Sequence, residues 1–295
     1  MNWICWNVRG LGNRRTVREF EVVTRAQAPA AMFLAETWSA EARLRKLCSD
    51  LKFEHCWIGP NAGNLGCLAL FWRSSVRIEV VSSSPNHIDT IVGEAGNGQW
   101  RFTGVYGFAD SSKKQETWAL LRELHRRSPL PWLCAGDFNE ILWSHEKTGL
   151  SHRREVQMLA FRNVLDECGL MDLGFVGDKF TWKGKRAGGL VLERLDRALA
   201  SNGWFALNPG TKVRHLNSFS SDHKAMVIHL DGISPQPFRP FKFEQMWLKD
   251  KACSSTVSSA WGSVSGFASM PVVADKINLC GKKLAKWSKE SFGCI

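Results

Sequence analysis

Tyrosine is almost missing from this sequence. Tyr106 stands alone against fourteen tryptophans and seventeen phenylalanines, so a phenol kept here is a candidate for a specific task. The nine cysteines form no CxxC pair and no Cys/His pair at zinc-ligand spacing, which argues against a structural zinc and for a reducing compartment. Cys5, Cys67 and Cys134 lie inside apolar runs, where a thiol acts as a small core residue. No apolar run approaches transmembrane length, and Met1–Trp6 is too short and lacks the basic leader of a signal peptide. A soluble, intracellular protein is expected, with no membrane partner and with the nucleus as a fitting location. Acidic residues are outnumbered 28 to 39, a formal charge of +11. That excess argues against a small-molecule phosphatase and for a polyanionic partner, nucleic acid first.

The 295 residues, 44% of them hydrophobic, suffice for one large core or for a domain with an extension. Strands are expected at Trp3–Val8, Ala31–Ala35, Cys67–Trp72, Val76–Val81, Ile88–Val92, Arg101–Tyr106, Trp132–Ala135, Lys179–Trp182, Lys212–Leu216 and Ala225–Leu230. Several are apolar on both faces, as in strands lying between layers. Helical faces are marked by Val17/Phe20/Val23, Leu44/Leu47/Leu51, Trp118/Leu121/Leu124 and Met158/Phe161/Leu165. Strands outnumber helices and often follow one another directly, so the fold class is α/β: a sandwich of two mixed β-sheets flanked by helices. A domain over residues 1–230 is expected to hold the chemistry. Residues 231–295 read as a linker, Ser234–Pro240, a Ser- and Gly-rich stretch over Ser254–Ser269, and a last amphipathic helix bearing Ile277, Leu284 and Trp287.

The strongest local signal is Gly136-Asp137-Phe138-Asn139, directly after the apolar run Trp132–Ala135. Side chains two apart on an extended chain point the same way, so Asp137 and Asn139 are expected to aim at one point and to orient a water; a plain turn is the competing explanation. Asn7, Glu36 and Tyr106 each sit at the C-terminal end of an apolar strand, where sheet proteins build ligand sites. Asp196 lies in Arg194-Leu195-Asp196-Arg197. Asp222 and His223 open the last strand; if it runs antiparallel to the one ending at Asp137, His223 reaches the same edge. A histidine held by a buried aspartate can act on a phosphate.

Taken together these residues resemble the endonuclease/exonuclease/phosphatase superfamily, and most closely the apurinic-endonuclease-like endonuclease domain of plant non-LTR (LINE-type) retrotransposons. The matching segments are Cys5–Gly12, Leu34–Thr37, Gly104–Gly107, Pro131–Glu140, Phe180–Trp182, Glu193–Leu199 and Ser221–His223, then Phe241–Trp247 and Trp287–Gly293 in the tail. The resemblance implies a four-layer α/β sandwich. It implies that Glu36 is the main Mg²⁺ ligand, Mn²⁺ being a substitute, with Asn7 beside it and Asp222 helping at the metal end. Asp137 would activate or position the attacking water with Asn139 in support, Tyr106 and His223 would contact the scissile phosphate, and Asp196 would orient His223. Phe108 departs from the proline of many relatives, and Thr148-Gly149-Leu150 varies a glycine pair; both bear on loop shape. No reverse-transcriptase motif and no Cys/His knuckle is found in the chain.

The expected function is a DNA endonuclease that nicks one strand and leaves a 3′ hydroxyl for target-primed reverse transcription. Its partners would be DNA and a downstream reverse transcriptase domain or element RNA. The alternatives are a phosphatase or RNA-directed nuclease on the same fold, and a catalytically idle remnant that only binds nucleic acid. Arg14, Arg15, Arg153, Arg154, Lys183, Lys185 and Arg186, placed in loops or at helix starts, are the candidate phosphate contacts.

Overall fold

The computed structural model describes residues 1–60, 67–149, 152–186, 188–232, 243–263 and 270–292. The chain divides into two compact units, Met1–Ser234 and Pro235–Ile295.

The first unit holds two six-stranded sheets, with strands numbered in chain order. One runs β14 (Lys212–Leu216), β15 (Ala225–His229), β1 (Asn2–Asn7), β2 (Ala31–Ala35), β4 (Ala69–Trp72), β3 (His55–Ile58). The other runs β10 (Leu170–Asp172), β13 (Asp196–Ser201), β8 (Trp132–Asp137), β7 (Asn97–Tyr106), β6 (His87–Glu94), β5 (Ile78–Ser84). Both are mixed: β1 pairs β2 in parallel and β15 antiparallel, and β8 pairs β7 in parallel and β13 antiparallel. A small third sheet joins β11 (Trp182–Arg186), β12 (Gly189–Glu193) and β9 (Lys147–Thr148).

The two-residue alternation of a strand explains why so many runs are apolar throughout. In β1, Trp3 and Cys5 face the core between the sheets, with Phe33, Phe102, Leu133, Ala198 and Met226. Ile4 and Trp6 face the other way, onto Phe20 of α1 (Arg14–Gln27) and Leu44 and Leu47 of α2 (Glu41–Asp50). On the second sheet, Val105, Cys134 and Leu199 face Trp118, Leu121 and Leu124 of α3 (Lys114–Arg127) and Phe161 and Leu165 of α4 (Glu155–Glu167). The result is four layers, helix–sheet–sheet–helix, as the strand-rich pattern predicts. Each large apolar side chain fully buried in them contributes roughly 1.5–3 kcal/mol.

Four helices fall where their apolar faces predict, and most strands do too. Three differences stand out. Lys179–Trp182 is not a strand over that range; β11 begins at Trp182. β13 went unrecognised because its first half reads as charged. A short helix, α5 (Asn202–Leu207), follows it, with the Ser201 side chain accepting from Trp204 N.

The charges around β13 are internal. Arg194 bonds Glu146 at 3.0 Å and Asp172 at 2.8 Å, and Arg197, fully buried, bonds Asp172 at 2.7 Å and also Glu146. Glu146 in turn accepts from the backbone N–H of Leu142 (2.7 Å). One carboxylate thus ties the loop that follows β8 to the strand beside it.

In the second unit, Trp247, Cys253 and Leu284 form a small core with Val257 and Trp287. It is built on α6 (Lys251–Gly262), N-capped by Asp250, and on α7 (Met270–Phe292). Much of the Ser-rich stretch is therefore helical rather than irregular. The expected linker Ser234–Pro240, Phe241 and Leu150 lie outside the described residues. The eight described cysteines are free, and among the described residues no helix is long and apolar enough to cross a membrane.

Removing one partner from a buried ion network leaves uncompensated charge, at a cost of about 3–5 kcal/mol. Glu146→Ala is therefore expected to lower the unfolding free energy by that order, read from a urea titration; a change below about 1 kcal/mol would show the network to be dispensable.

Candidate active site

Along each central strand the inward-facing apolar positions stop at a polar residue, and the stops share one end of the sandwich. Trp3 and Cys5 lead to Asn7, Trp100 and Phe102 to Tyr106, and Leu133 and Ala135 to Asp137. On β13, which runs the other way, Ala200 and Ala198 lead back to Asp196. Strand register then fixes the neighbours: Tyr106 and Asp196 both pair with Asp137, one on each side.

Close approach of backbones sharpens this end. Gly136 has φ +145°, and a Cβ there would lie 2.1 Å from the Val105 carbonyl oxygen. No other residue type fits between β7 and β8 just before Asp137. Asn139 takes φ +54°, a left-handed conformation that asparagine tolerates better than most residues. Its backbone N–H donates to Asp137 Oδ1 (2.8 Å), and its amide donates to Asp137 Oδ2 (3.2 Å) and to the Gly107 carbonyl (2.9 Å). Lys114, buried at the start of α3, donates to the Asn139 carbonyl and so holds the turn from behind.

The polar side chains form one connected group. Tyr106 donates to Glu36 Oε1 (2.9 Å), and Asn7 Nδ2 donates to Glu36 Oε1 (2.7 Å) and Asp137 Oδ2 (3.0 Å). His223 Nε2 lies 3.6 Å from Asp137 Oδ2, while its Nδ1 bonds Asp196 Oδ2 at 2.9 Å. Asn7, Asp137, Asp196 and His223 are buried, and Glu36 and Tyr106 are half-buried.

His223 arrives by a different route from the one the sequence suggests. The strand it precedes, β15, lies in the sheet of β1, not beside β8, so the imidazole meets Asp137 across the sandwich. Ser221 fixes it there: its hydroxyl donates to the Asn7 carbonyl (2.8 Å) and accepts from His223 N (3.0 Å). Thr181 Oγ1 accepts from the N–H groups of Leu195 and Asp196, 3.0 Å each. Both hydroxyls lie inside matching segments, Phe180–Trp182 and Ser221–His223, but the sequence assigns neither a role.

Burial raises the Asp137 acid above the usual carboxylate range, against the pull of His223. Burial alone would lower His223, but the carboxylates of Asp196 and Asp137 outweigh it and hold the imidazole in its charged form. Burial, then the charges of Glu36 and Asp137, push the Tyr106 phenol up, so it remains a neutral donor.

Two groups of oxygen donors bear on metal binding. Glu36 carries both its hydrogen bonds on Oε1. Asp222 Oδ2 bonds Trp182 Nε1 (2.9 Å) and Arg9, while its Oδ1 is buried with no hydrogen-bond partner. Carboxylate and amide oxygens of this kind suit a hard cation such as Mg²⁺. Asp137, Asp196 and His223 also present ligand-type atoms within 4.8 Å of one another. The His223–Asp196 bond already uses the inner face of that triad, which favours proton chemistry there.

The expected phosphate contacts divide. Arg14 and Arg15 open α1, Arg154 precedes α4, and all three are exposed. Lys183 and Lys185 are exposed too, but on strand β11 rather than a loop, and Arg186 ends the same strand. Arg153 is a correction: it is bound to Glu140 (3.1 Å) and Glu193 (2.8 Å), so its charge is met internally.

Residues 4–223 match the model of the endonuclease/exonuclease/phosphatase family, and the chain belongs to that family. No curated protein matches it by sequence. Among solved structures it is similar to the endonuclease domain of TRAS1, a telomere-specific non-LTR retrotransposon, at 16% identity over 77% of this chain and 97% of that one, with a TM-score of 0.59. It is similar to the 3′ phosphatase NExo from Neisseria bound to product DNA hairpin (20%, 78% and 98%, 0.60). It is also similar to the AP endonuclease LMAP from Leishmania major (16%, 77% and 86%, 0.61). At these identities the likeness is one of fold.

The Asn139 turn separates backbone from side chain experimentally. Asn139→Gly keeps the left-handed backbone and its N–H bond to Asp137 Oδ1 but removes the amide bonds to Asp137 Oδ2 and the Gly107 carbonyl; displacing a reacting group by about 1 Å can cost about 10²-fold, and a loss in kcat up to that size is expected with little change in stability. Asn139→Ala should lose as much activity and, in addition, about 1 kcal/mol of stability from backbone strain. Unchanged kcat in the glycine variant would remove Asn139 from the positioning of Asp137.

Proposed function

We propose that this family member is a metal-dependent DNA endonuclease that nicks one strand and leaves a 3′ hydroxyl able to prime reverse transcription. The observation that carries the reading is the single connected group running by hydrogen bonds from Tyr106 through Glu36 and Asn7 to Asp137, then by a 3.6 Å charge contact to His223 and by a hydrogen bond to Asp196. It puts a carboxylate that can accept a proton next to donors that can meet an anionic phosphate.

In this reading Asp137 takes a proton from water, and Asn7 and Asn139 aim its carboxylate. The water oxygen bonds to phosphorus, the bond from phosphorus to the 3′ oxygen breaks, and that oxygen leaves and takes a proton from a solvent water. Charged His223, kept so by Asp196, and the neutral phenol of Tyr106 donate to the phosphate oxygens as charge builds. Glu36, with Asn7 and Oδ1 of Asp222, would hold Mg²⁺ or Mn²⁺, and a cation there neutralises phosphate charge.

DNA is favoured over a small phosphate ester by the +11 charge and by the exposed cations Arg14, Arg15, Arg154, Lys183 and Lys185. The retrotransposon assignment is supported by the motif series from Cys5–Gly12 to Ser221–His223, and a similar fold serves in the TRAS1 endonuclease domain. A downstream reverse transcriptase domain or element RNA would then be its partner.

Supercoiled plasmid tests this directly. With Mg²⁺ the protein should convert it to nicked circles, and chelation should stop the conversion. Asp137→Ala and His223→Ala should each be slower by about 10²–10⁴-fold, and DNA affinity should fall steeply between about 50 and 200 mM salt. Release of phosphate from 3′-phosphorylated oligonucleotides with no nicking would favour a phosphatase, and both variants nicking at the parent rate would remove the assigned site.

A further inference from the structure

Phe219 is 77% exposed, yet its loop is tied down. Glu19 of α1 spends both carboxylate oxygens on consecutive backbone N–H groups, Phe219 and Ser220, at 2.8 Å each. Ser218 Oγ accepts from Ser221 N at 3.1 Å, and Ser221 anchors the loop on the Asn7 carbonyl. A single exposed apolar side chain is ordinary on a protein surface. A large ring in water on a backbone fixed by a carboxylate is less so, because flexibility that would let it fold away has been removed.

What surrounds the ring gives it a use. With Phe180, Trp182, Lys183, Asp222 and His223 it lines a cavity of about 300 Å³. The cavity therefore combines aromatic residues and a cation with His223 of the candidate active site. Ligand sites of this size are mostly apolar with a few polar groups that fix orientation, and a flat aromatic guest whose attached phosphate reaches His223 meets both demands.

We propose that Phe219 is a platform on which a nucleobase of the substrate strand stacks in this cavity, and that Glu19 is the positioning residue that sets its loop. The inference rests on the reading of the site as one that cuts DNA. Stacking on a phenyl face is tolerant of base identity, because every base has a π-face. Phe219 therefore contributes to holding the strand beside His223 and little to choosing its sequence.

The test uses the full chain and an oligonucleotide duplex whose cleavage site has been mapped, with 2-aminopurine placed singly at each position around it. Loss of one base–aromatic stack weakens binding by about tenfold or more. Phe219→Ala should therefore raise KM by about that factor while kcat moves little, because the stack is lost from ground and transition states alike. Phe219→Trp should restore KM, whereas Phe219→Leu, apolar but without a π-face, should behave as the alanine variant. Glu19→Ala should raise KM in the same direction, and combined with Phe219→Ala should add nothing further. At one position, the 2-aminopurine fluorescence of the complex should differ between the parent and Phe219→Ala. If the parent cuts DNA while Phe219→Ala matches it in KM and at every fluorescent position, the platform is wrong and the nuclease reading stands. If the parent neither binds nor cuts DNA, the nuclease reading falls and the platform with it.

Discussion

The register of three strands governs the site. Asp137 on β8 pairs with Tyr106 on β7 and with Asp196 on β13, and all three face the space between the sheets. Side chains alternate along a strand, so a slip of one residue would turn Asp137 into the helix-facing layer and bring apolar neighbours into its place. Such a slip is blocked from several sides. Leu133 and Ala135 belong to the inter-sheet core, Cys134 and Trp132 to the helix side, and Gly136 admits no Cβ against Val105. The apolar packing that stabilises the sandwich is thus also what aims its polar end.

That end carries buried charge, which is costly unless met by partners. Asp137 is balanced by His223, Asn7 and the Asn139 N–H, and His223 by Asp196. Behind them, Glu146, Asp172, Arg194 and Arg197 satisfy one another on the outer side of β13. The two sets differ in closure. In the outer network each carboxylate meets both guanidinium groups. The inner set has a carboxylate raised by burial and a histidine kept charged, so protons there can move. This difference separates a bracing cluster from one whose protonation can change, although both are made of acids and bases.

Much of this could be read from the sequence because local pattern and final environment agree. Trp132–Ala135 looks like a buried strand running into a polar turn, and the strand is there, extended to Asp137. Asn7, Glu36 and Tyr106 close apolar runs, and the same rule that ends a run puts their side chains at the edge of the core. The sequence misled where long-range partners decide. No strand is expected over Asp196–Ser201, because nothing local reveals that Glu146 and Asp172 will meet Arg194 and Arg197. Arg153 read as a phosphate contact for the same reason. The antiparallel pairing that would carry His223 to the Asp137 edge within one sheet is not the one made, and His223 comes from the facing sheet. Sequence alone fixes which residues end a strand, not which strand lies opposite. Lys114 and Glu19 act through backbone groups far along the chain and left no pattern to find.

In the proposed function Asp137 and His223, brought from opposite sheets to 3.6 Å, act as one unit in phosphodiester hydrolysis. A double-mutant cycle on kcat with Asp137→Asn and His223→Asn measures that coupling most directly. Residues that act as a unit are strongly non-additive, so the double variant is predicted to be no slower than the slower single variant. Losses that multiply in the double variant, as for independent sites, would contradict the account.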